Sequence, residues 1–398
     1  MVRLQAMHFI HRILAVAAGR EKVESGEVIK VPVDLALGHD GTAEKVLTHW
    51  PPGGKVSIPQ KTVFTLDHLL PAPTVEAREL HRRLLEFGRE QNIYVLARGE
   101  GVLHQVVAEQ FTPRRGWIIA GADGHVATSG AFGALAFTVK PEELVEVLLT
   151  GNLLVRVPPV YTVEVGGRLP AGVTARDLAL EVLRNLDRER IQGAALVFQG
   201  EGVWTLSTAS QMALCNLIGE TGATTGLVIP PEEVEVGREP ELKVEVSNLK
   251  PLVACPPSPF NVRPLEELEG LPISQGVVGG CSSGRLEDIR ELLLGLAGHT
   301  VHKNVTLLVT PASREILTTM EREGLTQILR EQGALILPPG CGPCPGKHLG
   351  LLAPGDRVLA ATVRNTPGRM GASTAEIYLA SPRAVGAAAA VGYLVSPG

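Results

Sequence analysis

Short apolar segments alternate with amphipathic segments along most of this chain, and this alternation is the feature that most constrains its fold. Segments 61–66, 93–97 and 117–120 have the composition of buried strands, and segment 74–91 has the apolar spacing of a helix. Strands that alternate with helices form parallel sheets, in which polar side chains collect beyond the carboxyl ends of the strands. The sequence therefore predicts an α/β protein whose chemistry lies in the loops that follow the strands.

Proline-rich positions divide the 398 residues. A chain of this length can form two or three domains. Pro158-Pro159 is the first predicted boundary, and the Pro- and Glu-rich stretch 230–259 is the predicted linker. We predict three α/β domains at residues 1–158, 159–245 and 246–398, the first with loops rich in Asp and His and the third with three cysteines.

Four predicted loops between residues 39 and 125 place a histidine near a carboxylate. The histidines are His39 (beside Asp40 in the loop-like stretch 38–42), His68 (after Asp67), His104 (after Glu100) and His125 (after Asp123). A carboxylate near an imidazole fixes its tautomer and can hold it protonated near neutral pH. One such histidine alone is more often structural. Four of them, each after a predicted strand, favour a shared site.

Three of the five cysteines lie in two stretches rich in glycine or proline. Cys341 and Cys344 form a C-x-x-C pair, and Cys281 lies upstream in Gly279–Arg285. Three thiolates are one fewer than fill a Cys₄ zinc site or an ordinary iron–sulfur cluster. A metal centre with an open position is suited to Lewis-acid catalysis. On spacing alone, four interpretations remain open: a cluster, a zinc site with a histidine ligand, a redox dithiol and no metal.

A third set of polar residues lies near the end of the chain, where Arg364 and Arg369 stand among loop-forming residues. Two arginines five residues apart in a loop can hold carboxylates bidentately. Two solvated surface charges would give the same pattern.

Charge and hydropathy exclude some classes of partner. The net charge is −5, and no basic run is longer than two adjacent arginines, which predicts no nucleic-acid binding. No segment reaches the ~18 uncharged apolar residues of a membrane span. Segment 10–18 is predicted to be an amphipathic first helix rather than a signal peptide, because His11 and Arg12 interrupt it. Five cysteines do not form a disulfide framework in so long a chain, so we predict a reducing, cytoplasmic location.

Motifs between Val31 and Gly392 occur in the order found in one known family. They lie at residues 34–42, 67–73, 99–101, 212–220, 281–288, 340–344 and 375–382. The chain resembles the large subunits of 3-isopropylmalate dehydratase and homoaconitase, in the aconitase superfamily. The motifs at residues 281–288, 340–344 and 375–382 are the most specific part of this resemblance.

The resemblance implies three α/β/α domains of the aconitase type around a central iron–sulfur cluster, without the C-terminal swivelling domain. It implies a 4Fe–4S cluster held by Cys281, Cys341 and Cys344, with one iron open to substrate. With it we predict catalytic roles for Asp67, His68, His104, Asp123, His125 and Glu220. We predict substrate contacts for His39, Asn216, Arg364 and Arg369.

The implied activity is that of a hydro-lyase. Its substrate would be a hydroxylated di- or tricarboxylic acid of the 3-isopropylmalate or homoaconitate type, as in leucine biosynthesis. In this superfamily the serine that removes the C–H proton lies on the swivelling domain. Because the chain ends at Gly398, we expect that domain to be a separate small subunit in a heterodimer or heterotetramer. Ser282 and Ser283 are expected to hydrogen-bond cluster sulfides rather than to act as the base.

Some positions depart from the family pattern. Asp-Ser-His-Thr is here Asp123-Gly124-His125-Val126, and Asn-Arg-Asn-Phe is Val363-Arg364-Asn365-Thr366. The charged groups are kept, whereas neutral hydrogen-bonding groups are lost. Two alternatives therefore stay open: a divergent paralogue with a different hydroxy acid, and a non-catalytic iron–sulfur sensor or assembly subunit.

Overall fold

A computed structural model describes residues 7–397, which form four β-sheets with helices packed against them. The strands are β1 (Val28–Pro32), β2 (Leu35–His39), β3 (Thr62–Thr65), β4 (Tyr94–Leu96), β5 (Ile118–Gly121), β6 (Leu135–Thr138), β7 (Asn152–Arg156), β8 (Val160–Gly166), β9 (Ala195–Gln199), β10 (Thr225–Val228), β11 (Leu242–Glu245), β12 (Leu252–Ala254), β13 (Val262–Pro264), β14 (Gln275–Gly279), β15 (Thr306–Thr310), β16 (Leu335–Ile336), β17 (Arg357–Ala360) and β18 (Glu376–Leu379). The helices are α1 (Phe9–Ala17), α2 (Asp40–His49), α3 (Val75–Gln91), α4 (Leu103–Val106), α5 (Pro141–Thr150), α6 (Ala175–Asn185), α7 (Glu201–Trp204), α8 (Thr208–Asn216), α9 (Gly280–Ser283), α10 (Leu286–Leu296), α11 (Arg314–Arg322), α12 (Leu325–Glu331) and α13 (Pro382–Val391). Over the described residues, no helix is both long enough and apolar enough to cross a membrane.

The first large sheet is wholly parallel, in the order β4-β3-β2-β5-β6. Its central strands are buried at every residue, as expected for a sheet covered on both faces. The predicted segments 61–66, 93–97, 117–120 and 74–91 correspond to β3, β4, β5 and α3. The predicted first helix is confirmed as α1, whose Phe9, Ile10 and Leu14 join the same hydrophobic core.

The expected loop at residues 38–42 is wrong, because β2 passes directly into α2. His39 ends the strand and its Nδ1 accepts the backbone N–H of Gly41 at 3.0 Å. That bond satisfies one of the free N–H groups at the start of the helix, and the negative charge of Asp40 is favourable there. His104 is likewise helical, since it lies on α4.

The remaining strands form two further α/β sheets and a two-stranded antiparallel sheet, β1-β7. The second large sheet is parallel, in the order β10-β9-β8-β11, and the third has the order β13-β12-β18-β17-β14-β15-β16. The predicted linker 230–259 contains β11 and β12, which pair within these two sheets, so it is not the irregular segment that its composition suggested. The domain boundaries at 158/159 and 245/246 remain a prediction.

Candidate active site

One cavity collects side chains from the first and third large sheets. It lies where β3, β5 and β14 end, and the loops after β16 and β17 complete its wall. Nine of the thirteen predicted site residues line it: His68, His104, Asp123, His125, Cys281, Cys341, Cys344, Arg364 and Arg369. Three others bond directly to lining residues: His39, Asp67 and Glu220. Residues far apart in sequence thus meet as predicted, while their roles remain a prediction.

The two cysteine loops are shaped by close packing around Thr310, the last residue of β15. A Cβ on Gly279 would lie 2.4 Å from the Thr310 carbonyl oxygen, and a Cβ on Gly342 would lie 2.3 Å from Thr310 Oγ1. Gly342 also has φ +57°, a conformation that glycine adopts readily. The C-x-x-C loop is joined to the first sheet because the N–H of Cys341 donates to the carbonyl of Asp67 at 3.0 Å. These contacts require glycine where the sequence has it.

The hydroxyl groups of the two serines after Cys281 bond to the protein backbone. Ser282 Oγ donates to the carbonyl of Ala361 at 2.8 Å. Ser283 Oγ accepts the N–H of Gly279 at 2.9 Å. Both hydroxyls therefore stabilise the backbone of the Cys281 turn, and their expected bonds to cluster sulfides remain a prediction.

The three thiols suit a multinuclear metal centre. Burial, together with the neighbouring Cys344 and Asp123, raises the pKa of Cys281 to about 12. Burial likewise raises the pKa of Cys341 well above its usual value. A redox dithiol usually has a lowered pKa, whereas thiolates in this cavity need a cationic centre.

The spacing of the sulfur atoms gives a second test of the metal. The groups of three or more His, Cys, Asp or Glu side chains whose ligand atoms lie within 4.8 Å of one another contain no cysteine, over residues 7–397. At least one pair of the three sulfurs is therefore more than 4.8 Å apart. Two thiolates on one tetrahedral zinc would be about 3.8 Å apart, from a Zn–S distance of about 2.3 Å. The cradle fits a cluster better than a single zinc ion.

Two hydrogen-bonded groups meet through the stacked rings of His39 and His68, and we call them together the Asp/His network. Asp40 is the centre of one group, with Asp67, His68 and His81. Asp123 is the centre of the other, with His39, His104 and His125. Its carboxylate accepts from His104 Nε2 at 2.8 Å and from the N–H of His125 at 2.6 Å, and it lies 3.2 Å from His39 Nε2. Burial alone would raise the pKa of Asp123, but the surrounding histidines hold it well below its usual value. The carboxylate therefore stays ionised.

Two histidines of the network have a pKa above the usual value for histidine. Burial opposes the charge of His39, but Asp123, Asp67 and Asp40 outweigh it and raise its pKa to about 9. Burial also opposes the charge of His125, whereas Asp123 and Glu220 raise its pKa. His125 lines the cavity, so an imidazole whose pKa is raised faces the space between the cysteines and the arginines.

Asp67 and His68 link the network to the cysteines. His68 Nδ1 lies 2.6 Å from Asp67 Oδ1 and 3.7 Å from Cys341 Sγ. The ring of His68 stacks on that of His39, with centroids 4.0 Å apart. The other carboxylate oxygen of Asp67 accepts the N–H of Leu103 at 2.7 Å, which fixes the helix that carries His104.

Sequence reasoning missed the role of Asp40 and its partner His81. Asp40 was expected to pair with His39, but its carboxylate instead accepts from the N–H groups of residues 67, 68 and 69, at 3.3, 3.0 and 2.9 Å. His81 Nε2, on α3, completes the set at 3.1 Å. His81 lies next to two exposed arginines in sequence, and its burial follows only from the packing of α3 against α2.

Glu220 joins His125 to the arginine loop. Its Oε1 accepts from His125 Nε2 at 3.0 Å and from Arg364 Nε at 2.6 Å. Burial would raise the pKa of Glu220, but His125 and Arg364 outweigh it and lower the pKa. Arg364 is thus held at the cavity wall, and the carboxylate, together with Asp123, raises the pKa of His125.

Several buried polar atoms near the cavity lack a partner in the described part of the chain. They are Asn216 Oδ1, Arg285 Nη1, Arg369 Nε and His104 Nδ1. Asn216 lies beside Cys281, and its Nδ2 donates to Thr128 Oγ1 at 2.9 Å. Buried polar groups are normally satisfied, so orphaned ones around a cavity indicate where a ligand binds. Their positions fit a cluster and an anionic substrate.

The departure at Gly124 has a direct structural counterpart. A Cβ at this position would lie 2.8 Å from Nη2 of Arg364. A serine side chain, as in the family pattern, would therefore compete with the present position of the guanidinium. The absence of a side chain at residue 124 therefore makes room for the guanidinium of Arg364.

Comparison with known proteins agrees with this geometry. The model of the aconitase family (aconitate hydratase) matches residues 12–236 and 232–392. The chain is 40% identical to 3-isopropylmalate dehydratase large subunit 1 of Methanopyrus kandleri, over 97% of each chain. It is 37% identical to the homoaconitase large subunit of Thermus thermophilus, over 97% of this chain and 96% of the relative.

A solved structure supports the fold. The crystal structure of Thermococcus kodakaraensis aconitase X (holo-form) aligns with 98% of this chain and 93% of that chain, with a TM-score of 0.55 and 15% identity. At that identity the likeness concerns the fold alone, and it agrees with the predicted aconitase-type α/β architecture. The family match covers nearly the whole sequence, and on this ground the chain belongs to the aconitase family.

Proposed function

We propose that this chain is the cluster-binding large subunit of a hydro-lyase that acts on a hydroxylated di- or tricarboxylic acid of the 3-isopropylmalate or homoaconitate type. The observation that carries the proposal is the meeting of three cysteines, His125 and two arginines in one cavity. The names of the two relatives support the same class of substrate. The free state of all five cysteines supports a reducing compartment, which we take to be the cytoplasm.

The cofactor we propose is a 4Fe–4S cluster held by Cys281, Cys341 and Cys344. When bound, it would supply a Lewis acid with an open position that polarises the hydroxyl group of the substrate. The raised pKa values of the unloaded thiols are consistent with thiolates that form only with a cationic centre.

The chain's own residues would supply the acid and the substrate clamp. His125, whose pKa is raised by Asp123 and Glu220, would give its proton to the departing hydroxide. Arg369, whose Nε has no partner among the described residues, and Arg364 would hold the carboxylates of the substrate. Ionised carboxylates in the Asp/His network keep this acid charged between turnovers.

The base that removes the C–H proton is assigned to a partner. Ser282 and Ser283 are committed to backbone hydrogen bonds, so neither is poised to attack. Both relatives are named as large subunits, which supports a small-subunit partner for this chain. Acid and base must act on opposite sides of one closed site, and a second subunit over the cavity would provide that geometry.

The substrate could also be a different hydroxy acid, and one observation favours this second candidate. Arg364 occupies space that a serine at residue 124 would need, so the carboxylate-binding wall differs from the family pattern. An altered wall would select a differently shaped acid while leaving the chemistry unchanged.

Reconstitution tests the proposal. The chain would be loaded anaerobically, mixed with a small subunit of about one domain from the same source, and assayed on 3-isopropylmalate, homoaconitate and methylated malates. We expect no dehydration by the chain alone and turnover by the pair on one of these acids. Turnover by the chain alone would show that this chain itself contains the base that removes the C–H proton. A loaded pair inactive on every acid would favour the sensor or assembly role instead.

A further inference from the structure

One buried arginine has no partner within the described chain. Arg176 is the second residue of α6, and its backbone N–H donates to Oγ1 of the N-cap residue Thr174 at 3.2 Å. The residue is 3% exposed. Over residues 7–397, none of its three guanidinium nitrogens has a hydrogen-bond partner. A buried charge without a partner is strongly unfavourable, so the anion that it serves must come from elsewhere.

Arg176 lies behind the turn that carries Cys281. It lines a groove formed by the beginnings of α6, α8 and α10. Ser282 lines both this groove and the cysteine cavity, so the turn at residues 280–283 is the wall between them. Burial lowers the pKa of Arg176 to about 10, and this effect is opposed by Asp177 and Asp288 first and then by thiolates at Cys344 and Cys281. The guanidinium is therefore within electrostatic reach of the cysteine cavity.

The two carboxylates that act most strongly on the charge of Arg176 form hydrogen bonds with other groups. Asp177 accepts the N–H of Leu252 and the N–H of Thr174, each at 2.9 Å. Asp288 accepts the backbone N–H of Arg285 at 3.0 Å. Neither forms a hydrogen bond with Arg176, since all three nitrogens of that side chain are unpartnered in the described chain.

A second buried arginine nearby, Arg285, has the hydrogen bonds expected of an arginine that stabilises the fold. Arg285 donates from Nη2 to the carbonyl of Cys281 at 2.8 Å and from Nε to Gln105 Oε1 at 3.0 Å. These bonds connect the Cys281 turn to the helix that carries His104. Arg176 makes no comparable bond, so a role in holding the protein backbone does not explain it.

We propose that Arg176 is a positioning residue for the iron–sulfur cluster, whose buried positive charge compensates the negative charge that three thiolates bring into the cavity. This inference rests on the proposed function, because it requires the cluster. It assigns a role to a side chain that lies outside the cavity and touches no substrate. The charge acts through the wall formed by the Cys281 turn.

The proposal gives opposite expectations for the unloaded and the loaded chain. Without the cluster, Arg176 is a buried charge whose guanidinium has no hydrogen-bond partner in the described chain, so Arg176→Met should raise the thermal midpoint of the unloaded chain. With the cluster, the same change removes a stabilising charge, so iron should be lost faster on exposure to a chelator. Removing a positive charge also disfavours the reduced cluster. We expect about a tenfold shift in the reduction equilibrium, which lowers a one-electron potential by about 59 mV.

The experiment compares full-length variants with and without the cluster, by thermal unfolding, chelator-driven iron loss and redox titration. Arg176→Lys keeps the charge and should restore most of the potential, and Arg176→Gln is a second neutral variant. Arg290→Met is the matched control, because Arg290 lines the same groove but is half exposed and paired with Glu323. It should change none of the three readouts.

Three results would overturn the inference. The first is an unchanged potential and an unchanged rate of iron loss in Arg176→Met. The second is equal destabilisation of the loaded and unloaded chains, or failure of both neutral variants to fold, since either would show a structural role. The third is a wild-type chain that holds no cluster, which would overturn the proposed function first and this inference with it.

Discussion

The Asp/His network and the cysteine side of the cavity differ in how completely the chain satisfies its own polar groups. In the network, Asp40 accepts from three backbone N–H groups and from His81, and Asp123 binds three histidines. On the cysteine side, Arg176, Arg285 and Arg369 keep unpartnered nitrogens in the described chain. The network has one orphan of its own, His104 Nδ1. The first region is organised before any ligand binds, whereas the second is completed by what it binds.

The largest effect should come from breaking the network at Asp40. Asp40→Ala removes the acceptor of four hydrogen bonds and leaves His81 and the residue 67–69 loop unsatisfied. We expect a loss of about 3–5 kcal/mol in the free energy of unfolding, equal in the loaded and unloaded chain. Urea unfolding of both forms measures it. Asp187→Ala is the control, since Asp187 caps an exposed turn and should cost far less.

The next effect concerns the proton that the network holds in the cavity. His125→Asn should lower turnover of the reconstituted pair by about 10² or more, because the acid for the departing hydroxide is lost. The visible spectrum of the cluster should not change, since no cysteine is touched. His49→Asn, at an exposed position on α2, is the control. Full turnover in the His125 variant would make this histidine purely structural.

A smaller effect is the pH dependence of stability that His39 creates. Its pKa is raised to about 9, above the usual value of about 6.5 for an unfolded chain. Its stabilising contribution is therefore complete below about pH 6.5 and is lost as the pH rises to about 9. The slope is at most about 1.4 kcal/mol per pH unit in the free energy of unfolding.

Unfolding of the unloaded chain between these two pH values tests this contribution. His39→Gln should flatten the curve over that interval, and His49→Asn should leave it unchanged. A wild-type curve that is already flat would show that Asp123 does not hold His39 protonated.

The α/β fold and most residues that line the cavity could be predicted from the sequence. The hydrogen-bond partners of individual side chains could not, where they depend on how helices pack. The alternation of strands and helices was sufficient for the α/β class, and residues at strand ends met as expected. The contact between Asp40 and His81 could not be predicted from the sequence, because it depends on the packing of α3 against α2. The start of α2 at Asp40 was missed because His39, a residue in a loop-like sequence, caps the helix with its own side chain.

The same limit applies to the arginines. The spacing of Arg364 and Arg369 suggested a clamp, but the bond of Arg364 to Glu220 depends on two distant elements meeting. Arg176 carried no signal in sequence, since a basic residue in the first turn of an amphipathic helix is normally solvated. Only its burial without a partner distinguishes it.

The central claim is that Cys281, Cys341 and Cys344 hold an iron–sulfur cluster, and metal analysis of anaerobically purified protein tests it most directly. We expect about four irons and four sulfides per chain. Serine at any of the three cysteines should remove them, whereas Cys215→Ser, at a buried thiol outside the cavity, should retain them. One zinc per chain without sulfide, or full iron in the Cys281→Ser variant, would contradict the account.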